Sequence, residues 1–123
     1  MILVDTSVWV DHFRLSDERL VSLLDAGEVL GHPFVTGELA LGNLRRRDAV
    51  LSDLRDLPQA ASVSHPEVLQ FIDREALFGR GIGYIDAHLL AAARLTAGSR
   101  LWTRDRRLHA VAAALGLAAV LSH

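Results

Sequence analysis

Short apolar runs alternate with longer amphipathic segments along this chain, and that alternation is the strongest constraint on its fold. Three runs are too short for helices and are read as buried strands: Ile2–Val4, Val29–Leu30 and Leu101–Trp102. Helical patterns separate each run from the next. This order predicts an α/β protein, a sandwich of helices around a small parallel sheet.

Helix boundaries are indicated by caps and by helix-breaking residues. Ser64 and Glu67 form a capping-box pattern, and Pro58 and Gly116 each stand where a helical pattern stops. The segment "GRGIG" at 79–83 predicts a loop. The predicted helices are 7–14, 17–25, 34–44, 48–57, 64–78, 84–96 and 103–115, and a last strand is predicted at 119–121.

Composition narrows the class of protein. The chain has 123 residues, half of them hydrophobic, and we expect a single domain over 1–123. We expect a cytoplasmic protein without a membrane segment, because no apolar run reaches roughly 18 residues and the start lacks a signal-peptide pattern. There is no cysteine, which excludes thiolate metal sites. All 13 basic residues are arginine, which excludes mechanisms that need a lysine.

Four acidic residues stand at the junctions of apolar segments. Asp5 follows the first strand, Asp105 follows the strand at Leu101–Trp102, Asp86 begins a helix, and Glu38 lies on a helix among apolar residues. Each has an ordinary structural explanation as a helix cap, a first-turn acid or a solvated side chain. In parallel sheets, however, ligands bind at the carboxyl ends of the strands. We therefore expect Asp5 and Asp105 to lie at one edge of the sheet.

A cluster of carboxylates is unfavourable without a cation. Two like charges about 4 Å apart repel by roughly 4 kcal/mol at an effective dielectric of 20. Oxygen-only ligands select Mg²⁺ or Mn²⁺ over zinc. Such an ion is typical of enzymes that hydrolyse phosphodiester bonds.

Four segments of the chain resemble, in order, the motifs of the PIN-domain ribonucleases: "VDTSVWVDHF", "GELALGNL", "GIGYIDAHLLAAA" and "LWTRDRRLHAVA". The size and the termini are similar to the VapC toxins of bacterial toxin–antitoxin pairs. This resemblance covers essentially the whole chain. It implies a PIN-like three-layer α/β/α sandwich with a short, mainly parallel central sheet, and a metal-dependent endoribonuclease.

The resemblance also implies a set of site residues. The family's four acids fall on Asp5, Glu38, Asp86 and Asp105, which would ligate Mg²⁺ or Mn²⁺ and activate the attacking water. The family's hydroxyl matches Thr103, which would orient a water or a carboxylate. Ser7 belongs to a small polar pair beside the first acid, and we expect it also to cap its helix.

The implied partners are an RNA substrate, a VapB-like antitoxin and a second copy of the chain, with a larger toxin–antitoxin assembly as a further form. The net charge of −2 gives no general attraction to nucleic acid, so RNA needs local contacts. Arg80 in the glycine loop and Arg104 beside Asp105 are the candidates, and Arg106 and Arg107 stand close by in the sequence.

Other functions explain parts of the same pattern. A phosphoacceptor receiver domain needs a lysine near its acidic pocket, and this chain has none. A haloacid-dehalogenase-like phosphatase needs a second aspartate two residues after the first, where this chain has Ser7. Two alternatives stay open: a PIN-fold RNA-processing nuclease outside a toxin–antitoxin pair, and a catalytically silent antitoxin- or RNA-binding module.

Overall fold

Three short parallel strands form the centre of the protein, in a computed structural model that describes residues 1–121. The strands are β1 (Ile2–Val4), β2 (Val29–Leu30) and β3 (Arg100–Trp102), in the order β2-β1-β3. Leu3 in the middle strand pairs with Leu30 on one side and with Leu101 on the other. The three strands are those that the sequence predicts.

Helices cover both faces of this sheet. Successive residues of a strand point to opposite faces, and Leu3 and Val4 are 0% and 1% exposed. A sheet that is buried on both faces is the middle layer of a sandwich. The predicted α/β class is therefore confirmed.

Seven helices occur within residues 1–121. They are α1 (Thr6–Arg14), α2 (Glu18–Asp25), α3 (Pro33–Ala40), α4 (Arg47–Asp56), α5 (His65–Arg74), α6 (Tyr84–Leu95) and α7 (Arg106–Ala114). Every residue of α6 from Ala87 to Ala93 is buried, so this helix contributes to the core on all sides. None of the helices in the described part is long and apolar enough to cross a membrane.

Two helices end earlier than the sequence predicts. Helix α3 stops at Ala40 instead of residue 44, and its last turn closes through hydrogen bonds from the amides of Leu41 and Gly42. Helix α5 stops at Arg74 instead of residue 78, because Ala76 takes a left-handed φ of 50°. The amide of Leu77 then bonds back to the carbonyl of Ile72 at 2.9 Å, as in a Schellman ending, and Leu77 is buried.

The predicted last strand at 119–121 does not form. A single parallel bridge joins Ala118 to Leu101, with hydrogen bonds of 2.7 Å and 2.9 Å on the two sides of Leu101. Beyond it the chain leaves the sheet, and Val120 is 94% exposed. The apolar run that suggested a strand therefore lacks a partner along most of its length.

Candidate functional site

Asp5 lies at the carboxyl end of β1 and is buried, with 6% of its surface exposed. Its backbone amide bonds to the carbonyl of Trp102 at 2.9 Å, which ties it to the end of β3. The hydroxyls of Ser7 and Thr103 donate to its Oδ2 at 2.7 Å and 2.8 Å. These bonds offset the desolvation of the carboxylate, and they leave Oδ1 for a ligand.

Asp5 is also the N-cap residue of α1. Its Oδ2 accepts the amide of Ser7 at 3.4 Å, a long bond beside the hydroxyl contacts. The expectation that Ser7 caps this helix is wrong, because Ser7 lies inside the first turn and its hydroxyl points back to Asp5. Asp5 is therefore a helix cap that still has its Oδ1 for a ligand, so the two explanations offered by the sequence are compatible.

The β3–α7 loop brings Thr103 and Asp105 to the same edge of the sheet. The buried hydroxyl of Thr103 accepts the amide of Asp105 at 3.1 Å while it donates to Asp5. Asp105 is the N-cap of α7, and its Oδ1 accepts the amide of Leu108 at 2.9 Å. The loop is thus fixed at one end by a site contact and at the other by a helix cap.

Asp86 lies in the first turn of α6, where its Oδ2 accepts the amide of Gly83 at 3.0 Å. Burial is the main reason that its pKa is raised, and the bond from Gly83 opposes this effect. The charges of Asp5, Asp105 and Glu38 raise the pKa of Asp86 further. The fold therefore places the other three predicted acids close enough for their charges to act on Asp86.

Glu38 reaches this region from α3 and is exposed. Its Oε1 accepts the hydroxyl of Thr6 at 2.7 Å, a bond between α3 and the first residue of α1. Thr6 has no predicted role beyond its place beside Asp5. The contact spans 32 positions, so only the packing of α1 against α3 reveals it.

The four carboxylates fit a hard divalent cation by their donor chemistry, because they offer only oxygen. As the side chains lie, no three histidine, aspartate or glutamate residues among 1–121 form a ready-made ligand set. Glu38 and Asp105 point instead to Thr6 and to the first turn of α7. Burial is the main cause of the raised pKa of Asp86, and the charges of Asp5, Asp105 and Glu38 add a smaller part that a nearby cation would oppose.

The histidines form a different cluster. His88 is buried, bonds through Nε2 to the hydroxyl of Tyr84 at 2.8 Å, and packs edge-on against the ring of Phe34. His32 caps α3 by accepting the amide of Phe34 at 3.0 Å. These contacts are structural, and they involve none of the four acids.

The candidate arginines differ in their surroundings. Arg104 forms ion pairs with Asp11 and Asp17 of the same chain near the surface, which the sequence did not predict. Arg80 is exposed in the glycine loop. Arg107 lies over Gly81, where a Cβ atom would come within 2.9 Å of its Cδ. Arg80 therefore lies within the loop that leads to Asp86, and Arg107 packs against that loop.

The acid cluster and the sheet order agree with a known family. The family model for the PIN domain matches residues 2–114, and this chain belongs to that family. It is 52% identical over 118 residues to Ribonuclease VapC32 of Mycobacterium tuberculosis, both in strain H37Rv and in strain CDC 1551. The match covers 96% of this chain and 95% of each relative, which confirms the predicted VapC group. PIN-domain ribonucleases generally depend on a divalent metal ion, and VapC toxins pair with VapB antitoxins and act on RNA.

Proposed function

We propose that this protein is an Mg²⁺- or Mn²⁺-dependent endoribonuclease and the toxin of a VapBC-type pair, folded as one domain over 1–123. The observation that carries the proposal is the clustering of the acids: the hydroxyl of Thr103 joins Asp5 to the amide of Asp105. The charges of these two acids and of Glu38 add to burial in raising the pKa of Asp86. The identity to a ribonuclease over nearly the whole chain supports the same conclusion. We propose a cytoplasmic location, as the sequence predicts.

Asp5 and Asp86 would hold the metal ion directly, and Glu38 and Asp105 would act through water or help to hold a second ion. When bound, the ion supplies a nucleophilic water near neutral pH and neutralises charge that develops on the phosphate. The donor set contains only oxygen, which supports Mg²⁺ or Mn²⁺ over zinc.

The protein's own contribution is to orient these carboxylates. Ser7 and Thr103 both donate to Oδ2 of Asp5, which turns Oδ1 towards the ligand. The amide of Gly83 holds one oxygen of Asp86 in the same way. Because the acceptors are fixed before the substrate arrives, less reorganisation is needed during the reaction.

RNA is held by its phosphates at the edge of this site. Arg80 lies in the glycine loop, and Arg107 packs against it where Gly81 leaves room for its side chain. Both arginines are exposed. Arginine binds phosphate oxygens with two parallel hydrogen bonds. Local contacts of this kind bind RNA despite the net charge of −2.

A VapB-like antitoxin would occupy the groove between α1 and the segment after α3. This groove has a volume of about 640 Å³, and its lining includes Val10, Phe13, Leu39, Leu44 and the site residue Glu38. A segment bound there would reach the acid cluster. A second copy of the chain is a further partner, and Leu69 on α5 and Leu95 on α6 are exposed apolar side chains that such a homodimer would cover. A larger toxin–antitoxin assembly would be built from this dimer.

The test is cleavage of a mixed transfer- and ribosomal-RNA pool by purified, antitoxin-free protein with Mg²⁺, Mn²⁺ or EDTA. We expect discrete fragments that require the metal and disappear in Asp5→Asn and Asp86→Asn. The matched control is Asp25→Asn, which removes an equal charge from an exposed position on α2. Equal cleavage by wild type and both site variants would contradict the proposal. If the protein cleaves RNA but no antitoxin gene lies beside its own gene, a role in RNA processing is favoured over a toxin.

A further inference from the structure

We propose that Arg104 is a positioning residue that clamps the β3–α7 loop onto α1 and α2, and is not a ligand of RNA phosphate. The clamp fixes Thr103 and Asp105 beside Asp5. This inference rests on the proposed nuclease function, because it assigns Arg104 a part in shaping that same site.

The side chain of Arg104 is held on three sides. Its Nη1 donates to Oδ2 of Asp11 at 2.7 Å, and its Nη2 donates to Oδ2 of Asp17. Its guanidinium lies 5.5 Å from the ring centroid of Trp102. A planar guanidinium can join two carboxylates and stack on an aromatic ring at once, which a lysine cannot do.

The two carboxylates come from different helices, so Arg104 joins three parts of the chain. Asp11 belongs to α1, whereas Asp17 is the N-cap of α2 and binds the amides of Arg19 and Leu20 through its Oδ1. Asp17 thus uses one oxygen for its helix and the other for Arg104. Its position is therefore fixed independently of the clamp.

The charge balance around Arg104 opposes a role in phosphate binding. One cation between two carboxylates leaves a local net charge of −1, which repels an RNA backbone. The Arg104 side chain is 35% exposed, and the partly exposed pair with Asp11 alone would contribute little. Two further features restrict the position of the Arg104 side chain. They are its contact with the ring of Trp102 and the burial of the neighbouring residue Thr103.

The backbone of Arg104 leads directly to the acid cluster. Its amide donates to Oγ of Ser7 at 3.0 Å, and the same hydroxyl donates to Asp5. Its two sequence neighbours are Thr103, which donates to Asp5, and Asp105. Release of the side chain would therefore loosen a three-residue loop in which both neighbours serve the site.

The experiment compares Arg104→Met, Arg104→Lys and Asp11→Ala with the control Arg55→Met, which removes a charge from an exposed position on α4. Three quantities are measured: cleavage rate, RNA affinity in EDTA at several salt concentrations, and hydrogen exchange of the Arg104 and Asp105 amides. A clamp predicts that both Arg104 variants lower the cleavage rate by roughly tenfold to a hundredfold, because the site groups are misplaced. It also predicts faster exchange of both amides in the two Arg104 variants and in Asp11→Ala. The salt slope of RNA binding should stay as in wild type, because no phosphate contact is lost.

A phosphate ligand predicts a different pattern. Arg104→Met would then weaken RNA binding in EDTA and reduce the salt slope by about 0.7, whereas Arg104→Lys would keep most of the affinity. A reduced salt slope in Arg104→Met that Arg104→Lys restores would overturn the clamp.

The amide exchange separates this inference from the proposed function. If wild-type protein cleaves no RNA, the nuclease proposal fails, while exchange at Arg104 and Asp105 still decides whether the loop is clamped. If Arg104→Met does not fold, Arg104→Lys and Asp11→Ala test the same contacts with smaller changes. Unchanged exchange in these two variants would contradict the clamp.

Discussion

Thr103 donates its hydroxyl proton to Oδ2 of Asp5 at 2.8 Å, across 98 positions of the sequence. Both side chains are buried, at the ends of adjacent parallel strands. The oxygen of Thr103 also accepts the amide of Asp105 at 3.1 Å. A single hydroxyl therefore sets the relative positions of two carboxylate-bearing segments.

Thr103→Val is expected to damage both stability and activity. Valine keeps the shape but removes one of the two hydroxyl donors to the buried Asp5 and leaves the amide of Asp105 without its partner, which costs about 1–3 kcal/mol of unfolding free energy. Cleavage should fall by roughly tenfold or more, since the carboxylate is no longer oriented. Urea unfolding and cleavage assays measure the two effects. Thr103→Ser restores the hydroxyl and is the control; if it behaves like Thr103→Val, the hydroxyl is not the cause.

The two roles of Asp5 can be separated by substitution. Asparagine is as good an N-cap as aspartate, so Asp5→Asn should keep the start of α1 while it removes the charge that a metal needs. Asp5→Ala loses the cap as well and should unfold about 0.5–2 kcal/mol more easily than Asp5→Asn. Thermal unfolding and cleavage of both variants check this. Full cleavage by Asp5→Asn would show that the carboxylate acts only as a cap.

Asp86→Asn is expected to stabilise the metal-free protein. The pKa of Asp86 is raised by burial and by its acidic neighbours, so the folded state holds this proton more tightly than the unfolded chain does. The ionised carboxylate therefore destabilises the fold at neutral pH, and asparagine removes that penalty while it still accepts the amide of Gly83.

Melting temperatures with EDTA and with Mg²⁺ test this expectation. In EDTA the Asp86→Asn variant should melt a few degrees above wild type, since about 1 kcal/mol shifts Tm by about 2–8 °C in a small protein. Added Mg²⁺ should raise the Tm of wild type, because the ion binds the folded state, and it should leave the variant unchanged. A variant that Mg²⁺ stabilises as strongly as wild type would remove Asp86 from the ligand set.

His32 should make the protein acid-sensitive. Burial, with a smaller contribution from the charge of His88, lowers the pKa of His32 from 6.5 to about 4. The unfolded chain therefore takes up this proton first as the pH falls. The stability that neutral His32 contributes is complete above pH 6.5 and is lost as the pH falls towards 4. Protonation would also remove the Nδ1 acceptor that caps α3.

Unfolding by urea between pH 7.5 and 5 measures this dependence. His32→Asn keeps a capping side chain and should flatten the profile over this range. His109→Asn changes an exposed histidine on α7 and should leave the profile as in wild type. An unchanged slope in His32→Asn would assign the acid sensitivity to another group.

Local sequence patterns predicted the strands and the start of the site. Ile2–Val4 and Leu101–Trp102 are short and apolar, and the residues that follow them, Asp5 and Thr103, must emerge at one edge of a parallel sheet. The capping box at Ser64 also forms as predicted. These features depend on residues that are close in sequence, so the pattern of side chains is sufficient to find them.

The tertiary structure alone decided where α3 and α5 end, that the last apolar run does not pair as a strand, and what Arg104 binds. Arg104 lies beside Asp105 in the sequence, yet its partners Asp11 and Asp17 are 93 and 87 positions away. The sequence by itself determined the class of fold and singled out the four acids as candidates, because strand and helix periodicities and a family's motifs lie within short segments. It could not determine which charges meet, because an ion pair depends on how helices from distant segments pack around the sheet.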